Sequence, residues 1–388
     1  MSYLTHLECS FCHKMYDADQ LIRLCPACEH PLLARYDLVH AAATLDRDEM
    51  AHRPNTLWRY HEMLPIRDPH YHISLGEGGT PVLKLDNLGQ LLGLNQLYLK
   101  DEGQNPTGSF KALGLSVAVS RAVELGAREF VIPTAGNAGG ALAAYCARAG
   151  VTSHVFMPQD APLINILEVQ LIGADLRLVN GLINDAGREA AAEGSAKGWF
   201  DVSTLKEPYR VEGKKIMGYE LAAAFNWELP DVIIYPTGGG TGLIGMWKAF
   251  AEMEALGWIG AKRPRMVSAQ ASGCAPVVKA FHDGAEATSP WPNAATIAGG
   301  LRVPVTVGGR LMLQALRESQ GTGVAVPDHR LQAGLSLLAQ REGIFVSLEA
   351  AATVAALEDL VSQGWVHPDE RILIFNTGTG LKHRLMLM

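Results

Sequence analysis

Short apolar runs alternate along most of the chain with stretches in which apolar side chains return every three or four residues. Positions 112–125 carry such a helical pattern and stop at Gly126, a helix C-cap position. Residues 130–133 then read as a strand, 139–149 as a helix closed by Gly150, 153–157 as a strand, 164–172 as a helix before Gly173, and 176–179 as a strand. This β-α-β-α-β order predicts a parallel sheet with helices on its faces. A second series starts with a buried strand at 231–235, a glycine-rich turn and a helix at 243–256. Further strands are expected at 267–269 and 372–375, with helices at 309–317, 331–340 and 348–363. Upstream, 82–85 and 96–100 are strand-like, and 41–63 reads as a helical arm.

Size supports two such bodies, since 388 residues with 48% hydrophobic content and 40 glycines can bury two large cores plus an addition. The chain carries 33 basic and 40 acidic side chains, a net charge of -7, which argues against nucleic acid or an anionic membrane surface as the main partner. Any anion site is therefore local. No stretch reaches the ~18 apolar residues of a membrane span, and the N-terminus lacks a basic region followed by an apolar run, so a cytoplasmic protein is expected.

Four of the six cysteines fall in the first 28 residues, as Cys9-x2-Cys12 and Cys25-x2-Cys28 separated by 12 residues. Two short cysteine turns can place four thiolates around one Zn2+, and a closed four-sulfur site is structural because it leaves no position for a substrate. The alternative is four reduced thiols without metal. Residues 1–40 thus read as a small zinc-ribbon-like module. Cys146 and Cys274 stand alone in apolar segments, unlike a disulfide framework.

Chemistry centres on 105–111, Asn-Pro-Thr-Gly-Ser-Phe-Lys, which runs from a strand-like segment into the first helical pattern. The uncharged neighbours of Lys111 favour a neutral, nucleophilic amine, able to form a Schiff base with an aldehyde cofactor. A lysine after a Gly-Ser turn is more often a solvated surface residue, so the reading needs partners. Three loops supply them. Thr134, Ala135, Gly136, Asn137 and Ala138 lie between a strand and a helix start, where unpaired N–H groups can hold a carboxylate; the competing explanation is tight helix-on-sheet packing. Gly238, Gly239, Gly240, Thr241 and Gly242 can wrap a phosphate, yet lack the Gly-Lys-Ser/Thr ending of an NTP loop and the pattern of a dinucleotide site. Thr377, after the last strand, can hydrogen-bond a pyridine nitrogen without holding it protonated. A lysine, a phosphate cradle, a carboxylate loop and a hydroxyl together describe pyridoxal 5′-phosphate holding an amino acid.

Those segments, together with 74–81 (Ser-Leu-Gly-Glu-Gly-Gly-Thr-Pro) and 206–215 (Lys-Glu-Pro-Tyr-Arg-Val-Glu-Gly-Lys-Lys), resemble the threonine synthases, within the tryptophan-synthase-β-like, fold type II class of pyridoxal-phosphate enzymes. The resemblance runs nearly the full length of the chain. It implies an α/β fold of two parallel-sheet, three-layer domains with the N-terminal zinc-ribbon module: 41–118 with 206–388 as the large cofactor-binding domain, and 119–205 as the small one. It implies that Lys111 attaches the cofactor and carries protons, that Asn137 contacts the cofactor's 3′-oxygen, that 238–242 binds its phosphate and that Thr377 faces its ring nitrogen. It implies a homodimer acting on a small amino-acid substrate, converting O-phospho-L-homoserine and water to L-threonine and phosphate.

The substrate's own phosphate then needs a second anion site. Lys206 and Arg210 are the candidates, while Lys214 and Lys215 read as a solvated pair with at most one member in the site. Leu113, Ala138 and Leu348 depart from the synthase pattern and bear on the substrate more than on the cofactor. The alternative activity is α,β-elimination or β-replacement on threonine, serine or diaminopropionate, and a third reading is a binding protein that has lost catalysis.

Overall fold

Three short strands open the chain in the computed structural model, which describes residues 1–382. Strands β1 (Leu4–Cys9), β2 (Met15–Asp17) and β3 (Leu32–Tyr36) form an antiparallel sheet in the order β2-β1-β3. Its two cysteine turns bring the Sγ atoms of Cys9, Cys12, Cys25 and Cys28 within 4.8 Å of one another. The single arm expected over 41–63 is instead three short pieces: α1 (Leu38–Thr44), α2 (Arg47–Met50) and a 3-10 turn at Leu57–Met63. Asp37 and Asp46 end the intervening segments by accepting hydrogen bonds from the N–H groups of His40 and Asp48, so each starts a new helix.

The chain continues through β4 (Val82–Lys84), α3 (Asp86–Leu92) and β5 (Gln96–Asp101), then through α4 (Lys111–Glu124), β6 (Glu129–Pro133), α5 (Asn137–Ala149), β7 (Thr152–Pro158), α6 (Leu163–Ile172), β8 (Asp175–Val179), α7 (Ile183–Lys197) and β9 (Phe200–Asp201). Helix α8 (Tyr209–Ala224) precedes β10 (Val232–Pro236), α9 (Thr241–Ala255), β11 (Arg265–Ala271), α10 (Pro276–His282), α11 (Gly309–Glu318), β12 (Thr322–Val326), α12 (Asp328–Glu342), α13 (Leu348–Ser362) and β13 (Arg371–Asn376).

By contacts the chain divides into two units, one made of Met1–Gly79 and Asn105–Ile216, the other of Thr80–Gln104 and the residues from Met217 onward. The first holds the cysteine module and a parallel sheet in the order β8-β7-β6-β9. The second holds a sheet in the order β12-β11-β10-β13-β5-β4. This larger sheet is mixed: β4 runs antiparallel to β5, and the other pairings are parallel. Because helices cover both faces of a parallel sheet, its central strand is apolar throughout, and every residue of β10 is buried. Each such Val or Ile contributes about 1.5–3 kcal/mol on burial.

The end of β5 carries a buried charge into the second unit. Lys100 is 1% exposed; its Nζ donates to Glu220 at 2.6 Å and to the carbonyl of Thr80 at 2.5 Å, with Glu102 at 3.5 Å. Burial works against the ammonium, and the Glu220 and Glu102 carboxylates overcome it, so the pKa is raised. Among the described residues no helix is long and apolar enough to cross a membrane.

Candidate active site

In the first unit, Lys111 is the first residue of α4, with its Nζ over the ring of Phe110 at 4.2 Å from the centroid. The same ring carries a second ammonium on the other side of the sequence: Lys214 lies 3.9 Å from its centroid and donates to the Phe110 carbonyl. Helices α4 and α8 can approach this closely because each is bare at the crossing. A Cβ at Gly213 would run into the carbonyl of Leu113, and one at Gly114 would lie 3.0 Å from the carbonyl of Arg210.

The carboxylate-loop candidates follow β6. Gly136 donates to Thr134 Oγ1 at 3.1 Å, and α5 starts at Asn137 with no side-chain cap, leaving its first N–H groups to other acceptors. Packing explains part of this loop. A Cβ at Gly139 would strike Met157 and Thr134, and one at Gly140 would strike Glu168, whereas at Gly136 the nearest atom would be Asn165 Nδ2 at 3.8 Å. Gly136 is therefore open where its neighbours are filled. Asn137 supplies a separate sign of a missing partner: its Oδ1 is buried with no hydrogen bond, a condition that costs about 1–3 kcal/mol unless a ligand donor satisfies it.

Arg210 is the second residue of α8, and the segment that leads to it leaves β9, the strand that pairs with β6 and so ends next to the start of the Thr134–Asn137 loop. Arg210 is 1% exposed; Nη1 donates to the Val202 carbonyl at 2.7 Å, while Nε is a buried donor with no acceptor. Lys206 is half-buried and follows Leu205, which sits at φ 57 in the left-handed region that leucine rarely adopts.

Glu207 caps the start of α8, accepting from the N–H of Tyr209 at 2.6 Å and of Arg210 at 3.1 Å. Full burial pushes its carboxyl up to about 7, against the Arg210 charge and those two donors. The folded protein thus binds a proton between about 4.5 and 7 that the unfolded chain has released. Its stability should fall as pH rises through that window, by on the order of 3 kcal/mol. Glu207→Gln cannot ionise, and urea titrations at pH 5 and pH 8 should show that slope reduced in the variant; an unchanged slope contradicts the assignment.

Lys214 and Lys215 correct the expectation of a solvated pair, since both are 0% exposed. Lys215 pairs with Glu212 at 2.8 Å and lies over the ring of Tyr36, whose hydroxyl donates to the same Glu212 at 2.8 Å. Glu212 is a local partner, but Tyr36 of β3 and Phe110 lie far along the chain, so local sequence could not disclose the burial.

Sequence reasoning also missed Glu77. Its carboxylate is 0% exposed and accepts from Trp58 Nε1 at 3.0 Å, Leu75 N at 2.8 Å, Ser116 Oγ at 2.5 Å and Tyr145 hydroxyl at 2.9 Å. Ser116 belongs to the helix that begins with Lys111, and Tyr145 to the helix that begins with Asn137. Glu77 therefore ties both to the 74–79 loop, where Gly78 N also donates to Asn105 Oδ1 at 3.0 Å. A lone acid inside a glycine-rich segment was the available signal.

In the second unit, the glycine loop follows β10 and Thr377 follows the adjacent parallel strand β13. Both candidates thus leave the same carboxyl edge of one sheet. Gly240 sits at φ 79, and a side chain there would run into Met312; one at Gly242 would run into the Tyr235 hydroxyl. The loop is held bare by its surroundings, and it delivers the chain to the N-terminus of α9, whose first N–H groups lack intrahelical partners. Such a cradle suits a phosphate. Thr377 is 6% exposed, and the loop around it is fixed by Asn376, which accepts from Gly378 N and donates to Asp101 at 2.6 Å. Taken separately, the orphaned Asn137 oxygen of the first unit suits a ligand hydrogen-bond donor, and the bare α9 loop of the second suits a phosphate ester such as that of pyridoxal 5′-phosphate.

The four cysteines fit a tetrahedral metal. A Zn–S bond of ~2.3 Å implies sulfur–sulfur separations of about 3.8 Å, and Cys9–Cys28 and Cys12–Cys25 are 3.4 and 3.6 Å apart.

A family model for pyridoxal-phosphate dependent enzymes matches residues 73–378. The threonine synthase of Methanocaldococcus jannaschii is 36% identical over 376 residues, covering 97% of this chain and 92% of that protein. That of Methanosarcina acetivorans is 35% identical over 379 residues, with 97% and 92% covered. Among solved structures, the processed form of threonine deaminase isoform 2 from Solanum lycopersicum superposes with a TM-score of 0.68 at 19% identity, covering 86% of this chain and 85% of that one. Maize serine racemase gives 0.67 at 21%, covering 78% and 88%. At those identities the structural likeness speaks for the fold.

Proposed function

This chain belongs to the threonine synthase family of pyridoxal-phosphate dependent enzymes, and from that premise we propose that it converts O-phospho-L-homoserine and water to L-threonine and phosphate. The observation that carries the choice of a phosphorylated substrate is Arg210, a buried guanidinium in the first turn of α8 that donates to the Val202 carbonyl just past β9 and whose Nε has no acceptor.

Bound pyridoxal 5′-phosphate supplies an electron sink that acidifies the substrate's Cα–H and then its Cβ–H. The chain's residues do the rest. Lys111 attaches the cofactor, and its Nζ, once released by the substrate, takes the proton from Cα, relays protons at Cβ and Cγ, and so needs a pKa near working pH. The N–H groups of Gly238, Gly239, Gly240, Thr241 and Gly242 hold the cofactor's phosphate. Asn137 contacts its 3′-oxygen, and Thr377 hydrogen-bonds its ring nitrogen without protonating it. Thr134, Ala135, Gly136 and Ala138 orient the substrate carboxylate with Asn137. Arg210, assisted by Lys206, grips the departing phosphate, and its planar fork suits that anion. In this reading 41–118 with 206–388 form the cofactor-binding domain and 119–205 the domain that presents the carboxylate loop.

Incubation with O-phospho-L-homoserine should release phosphate and L-threonine together. Ammonia and 2-oxobutyrate formed from L-threonine, without phosphate from the phosphorylated substrate, would favour the eliminase alternative instead. The enzyme is placed in the cytoplasm and read as a homodimer.

Cys9, Cys12, Cys25 and Cys28 complete the proposal as a structural Zn2+ site, supported by their mutual distances. The purified protein should carry about one zinc per chain by mass spectrometry, and Cys12→Ser should lose it. Because β3 reaches α8 through Tyr36 and Glu212, the melting temperature should drop by several degrees in the variant. A zinc-free wild type with the same melting temperature as Cys12→Ser contradicts the site.

A further inference from the structure

The larger sheet of the second unit carries a cavity at the end opposite its glycine loop. Gln96 opens β5, Arg371 opens β13 directly beside it, and Asp231 immediately precedes β10, so the three line up across the amino ends of adjacent strands. With Trp227 and Glu228 from the turn after α8, and Ile259 from the turn after α9, they line a cavity of about 390 Å³. The five residues of β10, at ~3.3 Å each, put it about 16 Å from the glycine loop, so the cofactor loops do not account for it.

One wall is held in an unfavourable backbone. Helix α8 is stopped by Asn226 at φ 54, a left-handed position that asparagine takes readily. Trp227 repeats it at φ 66, and for a bulky side chain that conformation is an outlier of the kind that gathers at ligand sites. Its indole meets that of Trp258 edge to face, 5.4 Å between centroids, and with Leu229 and Ile259 forms the apolar side of the cavity.

The charges in the wall are equal in number and only half matched. Lys262 pairs with one oxygen of Asp231 at 2.5 Å, and the other accepts from the main-chain N–H of Arg371 at 2.8 Å. That leaves Arg371 and Glu228. The guanidinium donates through Nη1 to the Glu228 carbonyl at 3.1 Å and lies 4.9 Å from the ring of Phe225, while its Nε is a buried donor without an acceptor. It makes no ion pair within 4 Å among the described residues. Glu228 is exposed, and among the described residues its carboxylate has no donor.

We propose that this cavity binds a free α-amino acid with an apolar side chain, its carboxylate on Arg371, its ammonium on Glu228 and its side chain against Trp227 and Ile259. Two cations and two carboxylates in the wall cancel, which suits a zwitterion better than a net anion or cation. The planar guanidinium matches a carboxylate. The bond from Arg371 to the Glu228 carbonyl keeps the two unmatched charges near enough for one small molecule to bridge them.

Isothermal titration of the cofactor-loaded full chain tests the assignment, with L-phenylalanine compared with 3-phenylpropionate, which lacks the ammonium, and phenethylamine, which lacks the carboxylate. L-phenylalanine is expected to bind once per chain with a dissociation constant of about 0.1–1 mM, and each analogue at least tenfold more weakly. Glu228→Gln should weaken L-phenylalanine at least tenfold and abolish its advantage over 3-phenylpropionate. Arg371→Gln should do the same with respect to phenethylamine. Glu228 is exposed and braces nothing through its carboxylate, so its variant keeps the test open if Arg371→Gln does not fold. L-phenylalanine taken up at the cofactor instead would alter the visible absorbance and bind both variants as tightly as the wild type. That result, equal binding of the analogues, or no saturable heat up to about 10 mM overturns the proposal.

Discussion

Lys111→Ala is expected to abolish turnover, by on the order of 10⁴-fold or more, and to remove the visible absorbance of covalently held cofactor. The expectation rests on position. Lys111 opens α4, and its helix is tied through Ser116 to Glu77, which also holds the helix that opens with Asn137. A loss of the amine at this point removes attachment and proton transfer together, while the apolar body of α4, buried from Ala112 through Val123, is untouched. The variant should therefore retain the wild-type far-ultraviolet circular dichroism. Turnover within tenfold of wild type, or an unchanged absorbance band, would rule Lys111 out.

Arg210→Met is expected to lower kcat/KM for O-phospho-L-homoserine by about 10²–10³-fold, the size of two lost charge-assisted hydrogen bonds. Cofactor absorbance should persist, because no cofactor contact is assigned to Arg210. The fold should tolerate the change better than most buried-charge deletions. Glu207, the carboxyl beside it, already titrates near 7 and can remain protonated when the guanidinium is gone. Unchanged kinetics on the phosphorylated substrate would remove Arg210 from the phosphate site and weaken the case for a phosphorylated substrate over its unphosphorylated rivals.

Elements whose evidence is local could be read from the chain. The apolar run of β10 followed by four glycines in five residues fixed both a strand and the turn after it, and the structure puts β10 at 232–236 with α9 from Thr241. The β6-α5-β7-α6-β8 series was legible for the same reason, since strand and helix periods alternate cleanly between 129 and 179. What escaped depended on distant partners. Helix α8 was seen as a run of cations, and its Gly213 and Lys214 make sense only against Leu113 and Phe110. Lys215 is buried because Glu212 and the ring of Tyr36 meet it there. The antiparallel setting of β4 and the two-residue β9 carry too few residues to impose a period. At the site itself, the sequence pointed to the loops but not to what braces them: Glu77 stood in a quoted motif without a role, and Glu207 was not distinguished from its neighbours.

The central claim is the reaction, and water labelled with oxygen-18 tests it most directly. Water adds at Cβ while the phosphate leaves with its bridging oxygen, so mass spectrometry should find the label in the hydroxyl of L-threonine, unlabelled phosphate, and one phosphate per threonine. Labelled phosphate accompanied by homoserine, or 2-oxobutyrate and ammonia in place of threonine, would contradict it.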